Sequence, residues 1–347
     1  MNKMFKGHNF IADASDLKDF TLENLAYVDE KIVVVDKSKE GVLVSPIIET
    51  LPFKEIVGSW ACISSIDSTC ELQVSVGVDG KMSKFFTYGE WGLGRENVYY
   101  DQDDEDVKMR VDEIILKEGK LGTSFQYRFV MKNEAKLSII AIMLNIPNYE
   151  YPVDAKGLPS IVWYDVPRLN QNMVPVIGHE MCSATTSAML LKFKGFDFKD
   201  KDAEFEHRYV ASLVADPGHR APMYGNWVYN TAAMGAFGLD AYCARTYSWE
   251  ELKYHLATVG PVGASIKGDT GIYKTGGHLL VVVGYKEVGN NKYVLCNDPN
   301  INGRFGKDKY GNETRKIIEY SDVDTLSLSR ITRSEDETSY DIDEAVQ

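Results

Sequence analysis

A chain of 347 residues is too long for one ordinary compact domain and suits two. Its formal charge of −13, with no cluster of Lys and Arg, excludes nucleic acid as a main partner, because phosphate binding needs grouped cations. The longest apolar runs, "LSIIAIMLNI" and "HLLVVVGY", fall short of the ~20 residues a membrane-crossing helix requires, so no membrane span is expected.

The opening "MNKMFKGHNFIADASDLKDF" is charged and lacks the apolar stretch of a secretory signal. The protein is therefore expected in the cytoplasm by default, or outside the cell if a leader has been trimmed away. From about residue 40 to 147 the pattern is short and alternating, as in "ELQVSVGV" and "LGTSFQYRFVM", with turn signals about every ten residues. Period-2 segments so punctuated indicate an antiparallel, jelly-roll-like sandwich. Cys62 and Cys70 flank "ISSIDST" and are either paired across strands or two small buried hydrophobes. With five cysteines and no C-x-x-C, the chain offers neither a disulfide framework nor a zinc ribbon. The acidic "YDQDDEDV" lacks the spaced oxygen ligands and glycine of an EF-hand and reads as a solvated loop.

The grain changes after the Pro/Gly/Tyr segment "NIPNYEYPVDAKGLPS". Helical patterns such as "CSATTSAMLLKFKG" and "SWEELKYHLATVG" come first, then strand-like "PVGASI", "HLLVVVGY" and "KYVLCND". The fold class expected is α+β. Residues 1–150 form the sandwich, 151–162 a linker, 163–331 the second domain, and 332–347 an acidic, frayed tail.

His278 stands at the mouth of an apolar strand. If "KEVGNN" forms the turn of a hairpin, with its midpoint at residue 288, His278 and Asp298 face each other, with Asn297 as the alternative neighbour after a bulge. A carboxylate there fixes the ring's tautomer and stabilises its protonated form. Cys182 stands where a helix begins and Gly195 where it ends. A thiol at a helix N-terminus meets the positive end of the macrodipole and unpaired N–H groups, which favour the thiolate, and a nearby imidazolium completes the activation. The backbone N–H of Cys182 can also stabilise an oxyanion. Rival readings use the same residues: His179, Cys182 and His278 as zinc ligands, or Cys182 and His278 as ordinary buried residues. His219 reads as a loop histidine and Trp227 as packing; with His179 and Asn297, Trp227 is also a candidate to line a cleft.

The order of these parts resembles the papain-like superfamily, and more closely the free-standing bacterial peptidases related to the double-glycine leader peptidases of bacteriocin exporters. "CSATTSAMLL" is similar to that family's nucleophile motif and "GNWVYNTAAMGAFGLDAY" to its middle segment. "GPVGASI" is similar to its first core strand, and "GHLLVVVGY…NDP" to its histidine and acid motifs. "SWACISS" and "YGEWG" resemble parts of the sandwich that often precedes the domain. The resemblance implies a papain-like cysteine peptidase domain without a cofactor. It makes Cys182 the nucleophile, His278 the general base and acid, and Asp298 the orienting acid. Gln171 becomes an oxyanion donor. A proline common two residues after the nucleophile is here Ala184. The expected partner is a peptide or protein substrate, with a glycan or cell-surface ligand considered for the sandwich. An acyltransferase on the same residues, or a binding protein with an idle catalytic half, are the alternatives.

Overall fold

The computed structural model describes residues 7–95, 102–217, 223–269, 274–300, 316–320 and 331–332. His219, the tail beyond Thr332 and the first two residues of the acidic loop lie outside them. The chain forms two compact units, Met1–Asn148 with Leu213–Arg245, and Tyr149–Ser212 with Thr246–Gln347.

The first unit is built on two seven-stranded antiparallel sheets. Strand Glu55–Ile63 beside Lys136–Asn145 lies central in one, and Thr69–Val78 beside Gly122–Lys132 in the other. Alternation decides which side chains face inward: Tyr127, Phe129 and Met131 are buried, while Gln126, Arg128 and Val130 are partly open. Rings from the two sheets meet edge to face, Trp60 on Phe129 at 5.8 Å and Phe10 on Phe125 at 5.2 Å between centroids. That shared interior makes the pair of sheets a sandwich. Four short strands between Asn9 and Val34 also belong to it, earlier in the chain than the alternation suggests. In the described part of the acidic loop, Asp103 pairs with Lys117, Glu105 with Lys81 and Asp106 with Lys120.

The described residues between 213 and 245 pack in this first unit. The reason is a helix of small residues, Trp227–Ala236, seated on strand Glu55–Ile63. The approach is close: a Cβ at Gly235 would lie 2.7 Å from the Ala61 Cα. Polar groups fix the segment at both ends. The Asp112 carboxylate accepts from the Trp227 N–H, Ser59 Oγ accepts from the Cys243 N–H at 2.8 Å, and Arg245 reaches Glu55 at 2.9 Å.

The second unit has a six-stranded antiparallel sheet. Its order is Ile161–Trp163, Lys274–Val288, Asn291–Asn297, Lys316–Tyr320, Ile331–Thr332, with Val262–Asp269 also paired to Lys274–Val288. The apolar run in strand Lys274–Val288 is continuous because helices cover both of its faces. Leu280 and Val282 pack with Trp249, Leu252 and Leu256 of helix Trp249–Thr258. Val281 and Val283 pack with Met189 of helix Cys182–Phe193. Strand Ile161–Trp163 takes the end of the expected linker into the sheet, pairing Val162 with Tyr285.

Candidate active site

The hairpin that carries His278 and Asp298 is tighter than "KEVGNN" suggests. Val288 pairs with Asn291, so only Gly289 and Asn290 turn, with Gly289 at φ +60°. A register shift between Val282 and Gly284 then leaves Val281 opposite Asn297. His278 and Asp298 are therefore offset along the strands, not directly opposite, which corrects the simple midpoint argument. Their side chains still meet: His278 Nε2 lies 2.8 Å from Asp298 Oδ1. Both are enclosed, with side chains 7% and 0% exposed. Asp298 Oδ1 also accepts the Asn300 N–H at 2.8 Å, so the carboxylate is held from two sides.

Cys182 opens helix Cys182–Phe193, whose end is followed by Gly195 at φ +92°. The N-cap is Met181, and no side chain caps the helix; no acidic residue lies in its first turn. The positive end of the helix is therefore left to the thiol. The thiol and the His278 ring lie close enough to shift each other's pKa. Since Nε2 is committed to Asp298, Nδ1 is the nitrogen left for sulfur. Burial by itself raises the thiol's pKa, but the His278 ring, with the N–H groups of Leu279 and Ser183, brings it below its ordinary value. Burial works against a charged His278 as well. Asp298 and Cys182 outweigh it and raise the ring's pKa to about 9. Thiolate and imidazolium each stabilise the other.

Gln171 is buried at 3% exposure and begins the short 3₁₀ turn Gln171–Met173. Its N–H donates to Pro299 O at 3.0 Å, which sets it beside the residue after Asp298. Its Nε2 donates to Gly178 O at 2.7 Å, leaving one amide hydrogen for a second acceptor. Asn297 is buried and ties its strand to the incoming chain through Nδ2 on Val166 O at 2.8 Å. His179 is exposed and lies 3.4 Å from Glu180. Trp227 belongs to the first unit. Among the described residues no group of three or more His, Cys, Asp or Glu is placed to hold a metal ion. The Cys62 and Cys70 thiols are free, buried neighbours.

Two features nearby carry no local signal in the sequence. One is His207, buried at 4% exposure against Asn170. The other is Val176, 88% exposed at φ +69° in a three-residue turn closed by Ile177 N–H on Pro175 O at 2.8 Å. A β-branched residue rarely adopts that backbone.

Residues 164–320 match the family described as Peptidase_C39 like family, and residues 21–140 match the Peptidase C39 N-terminal domain. No curated protein matches the chain. Among solved structures, a GH26-CBM35 β-(1,4)-mannanase of Podospora anserina is similar at 11% identity and a TM-score of 0.23. That likeness covers 48% of this chain and 33% of the mannanase, and it is too slight to bear on fold or ligand. The two family matches follow each other in the order of the two halves, and the second contains Gln171, Cys182, His278 and Asp298. Residues 164–320 are a cysteine-peptidase domain of the Peptidase_C39 like family, and the Peptidase C39 N-terminal domain stands ahead of it.

Proposed function

We propose that Cys182, His278 and Asp298 act as a catalytic triad that hydrolyses a peptide bond of a peptide or protein through an acyl-enzyme. The observation that carries this reading is the enclosed His278–Asp298 pair at 2.8 Å, beside a helix-start Cys182 whose thiol pKa the His278 ring lowers. Sγ attacks the carbonyl carbon, and the carbonyl π electrons move onto oxygen. The Cys182 N–H and the free Gln171 amide hydrogen receive that oxyanion. Collapse of the adduct breaks the C–N bond, and the leaving amine takes the proton from His278 Nδ1. Water then attacks the thioester and gives a proton back to Nδ1. The acid leaves, and the thiolate–imidazolium pair is restored. Asp298 keeps Nε2–H aligned throughout and remains ionised.

A mixture of peptides incubated with the protein and with Cys182→Ala tests this. New peptide termini that appear only with the native chain are expected. Identical mixtures from the two proteins would remove the peptidase reading. Adding a primary amine separates hydrolysis from acyl transfer: under hydrolysis the free acid remains the main product, whereas an acyltransferase diverts it to the amide.

A further inference from the structure

We propose that His207 is a positioning residue for the Gln171 side chain, an inference that rests on the acyl-transfer reading above. Asn170 and Gln171 share one peptide plane, and that plane is held at both ends. Its N–H end donates to Pro299 O at 3.0 Å, and its C=O end lies 3.2 Å from His207 Nε2. A carbonyl only accepts, so Nε2 carries the ring proton and Nδ1 is bare. Nδ1 is buried with no partner among the described residues, so charging the ring would bury a second, unmatched N–H. His207 therefore serves as a neutral donor.

The clamp connects with the proposed triad through a second route. Asn170 Oδ1 accepts the Asn172 N–H at 2.9 Å, Asn172 Nδ2 donates to Asn300 Oδ1 at 3.0 Å, and the Asn300 N–H donates to Asp298 Oδ1 at 2.8 Å. The plane from which Gln171 extends is thus referenced to the residues that hold the His278 ring. Without His207 the carbonyl end keeps only the longer bond from the Met173 N–H, at 3.3 Å, and the plane is held less firmly against turning about its bond to Pro299 O. Gln171 meets its substrate oxygen most strongly in the transition state, so the loss falls on kcat. A displacement of about 1 Å costs up to about 100-fold.

The test is a matched pair of variants, His207→Gln and His207→Met, which have similar size and differ in the side-chain N–H. For His207→Met, kcat is expected to fall about 10- to 100-fold with KM unchanged. Iodoacetamide alkylation of Cys182 should stay at the native rate, because its activating pair is intact. His207→Gln should recover most of the loss. In a Gln171→Ala background, His207→Met should cost nothing further. Equal kcat for the two variants, the same loss with and without Gln171, or a parallel fall in alkylation overturns the proposal. A measurement on the native protein stands apart from variant folding: ¹⁵N NMR of the histidine rings should find His207 as the neutral Nε2–H tautomer at the pH of assay, and an Nδ1–H tautomer contradicts the clamp. A native chain with neither peptide turnover nor selective Cys182 alkylation would sink the acyl-transfer reading and this proposal with it. Native turnover with equal Gln and Met variants sinks the clamp alone.

Discussion

Cys182 in the second unit and Cys243 in the first are the same chemical group driven in opposite directions. Burial raises the pKa of both thiols. At Cys243 the Asp112 charge adds to burial, the Ser59 and Thr231 hydroxyls offset little, and the thiol is pushed up to about 12. At Cys182 an imidazole held by a buried carboxylate, with two backbone N–H groups, reverses the effect of burial. Solvent access does not separate the two. What separates them is the sign of the neighbouring charge and the presence of amide donors, the conditions under which a thiol becomes a nucleophile.

Substitution of the two cysteines gives the largest contrast. Cys182→Ala is expected to lower peptide turnover on the order of 10⁶-fold, the scale of losing a covalent nucleophile. Cys243→Ala should leave turnover at the native level, and equal losses would erase the distinction. His278→Ala comes next. It should cost about 10² to 10⁴ in kcat and, by leaving Asp298 buried without its partner, about 3 kcal/mol of stability measured by urea unfolding. Unchanged stability would mean that Asp298 is not enclosed with the ring.

The same pair sets a pH window. The thiolate–imidazolium state is populated above the pKa of Cys182, which lies below the ordinary thiol value, and below that of His278, at about 9. Turnover should rise with pH through the first and fall through about 9 as Nδ1 loses its proton. A rate that climbs past 9 without falling would show that no protonated ring is needed.

Smaller effects concern how each unit is held together. Gly235→Ala in the first unit forces a methyl against the Ala61 backbone and should cost about 1–3 kcal/mol. A neutral outcome would show that helix Trp227–Ala236 can lift from its strand freely. Val176→Gly in the second unit removes a strained backbone at an exposed site, and a gain under about 1 kcal/mol is expected in the unfolding midpoint. A loss would mean that the Val176 side chain is held by contacts of its own.

Local pattern accounts for much of this structure. The alternation of "LGTSFQYRFVM" appears as strand Gly122–Lys132, and "CSATTSAMLLKFKG" yields the helix that starts at Cys182. The meeting of His278 with Asp298 was legible because a hairpin is nearly local, although the register was not. The turn uses two residues where six looked turn-like, and a bulge inside an apolar run leaves no mark in composition. Two features were beyond reach for one physical reason. The small-residue helix at Trp227 fits any closely approaching surface, and nothing in its sequence names strand Glu55–Ile63 as that surface. His207 likewise bonds a carbonyl 37 residues away, and a main-chain acceptor has no residue type to recognise.

The most direct test is to alkylate the native protein with iodoacetamide across pH 5 to 10, reading each of the five cysteines by mass spectrometry. Cys182 is expected to react far ahead of the other four at pH 6, and His278→Ala should remove that lead. Five cysteines that label slowly and together, with Cys182 quickening only near the ordinary thiol pKa of about 8.5, would contradict the paired thiolate and imidazolium.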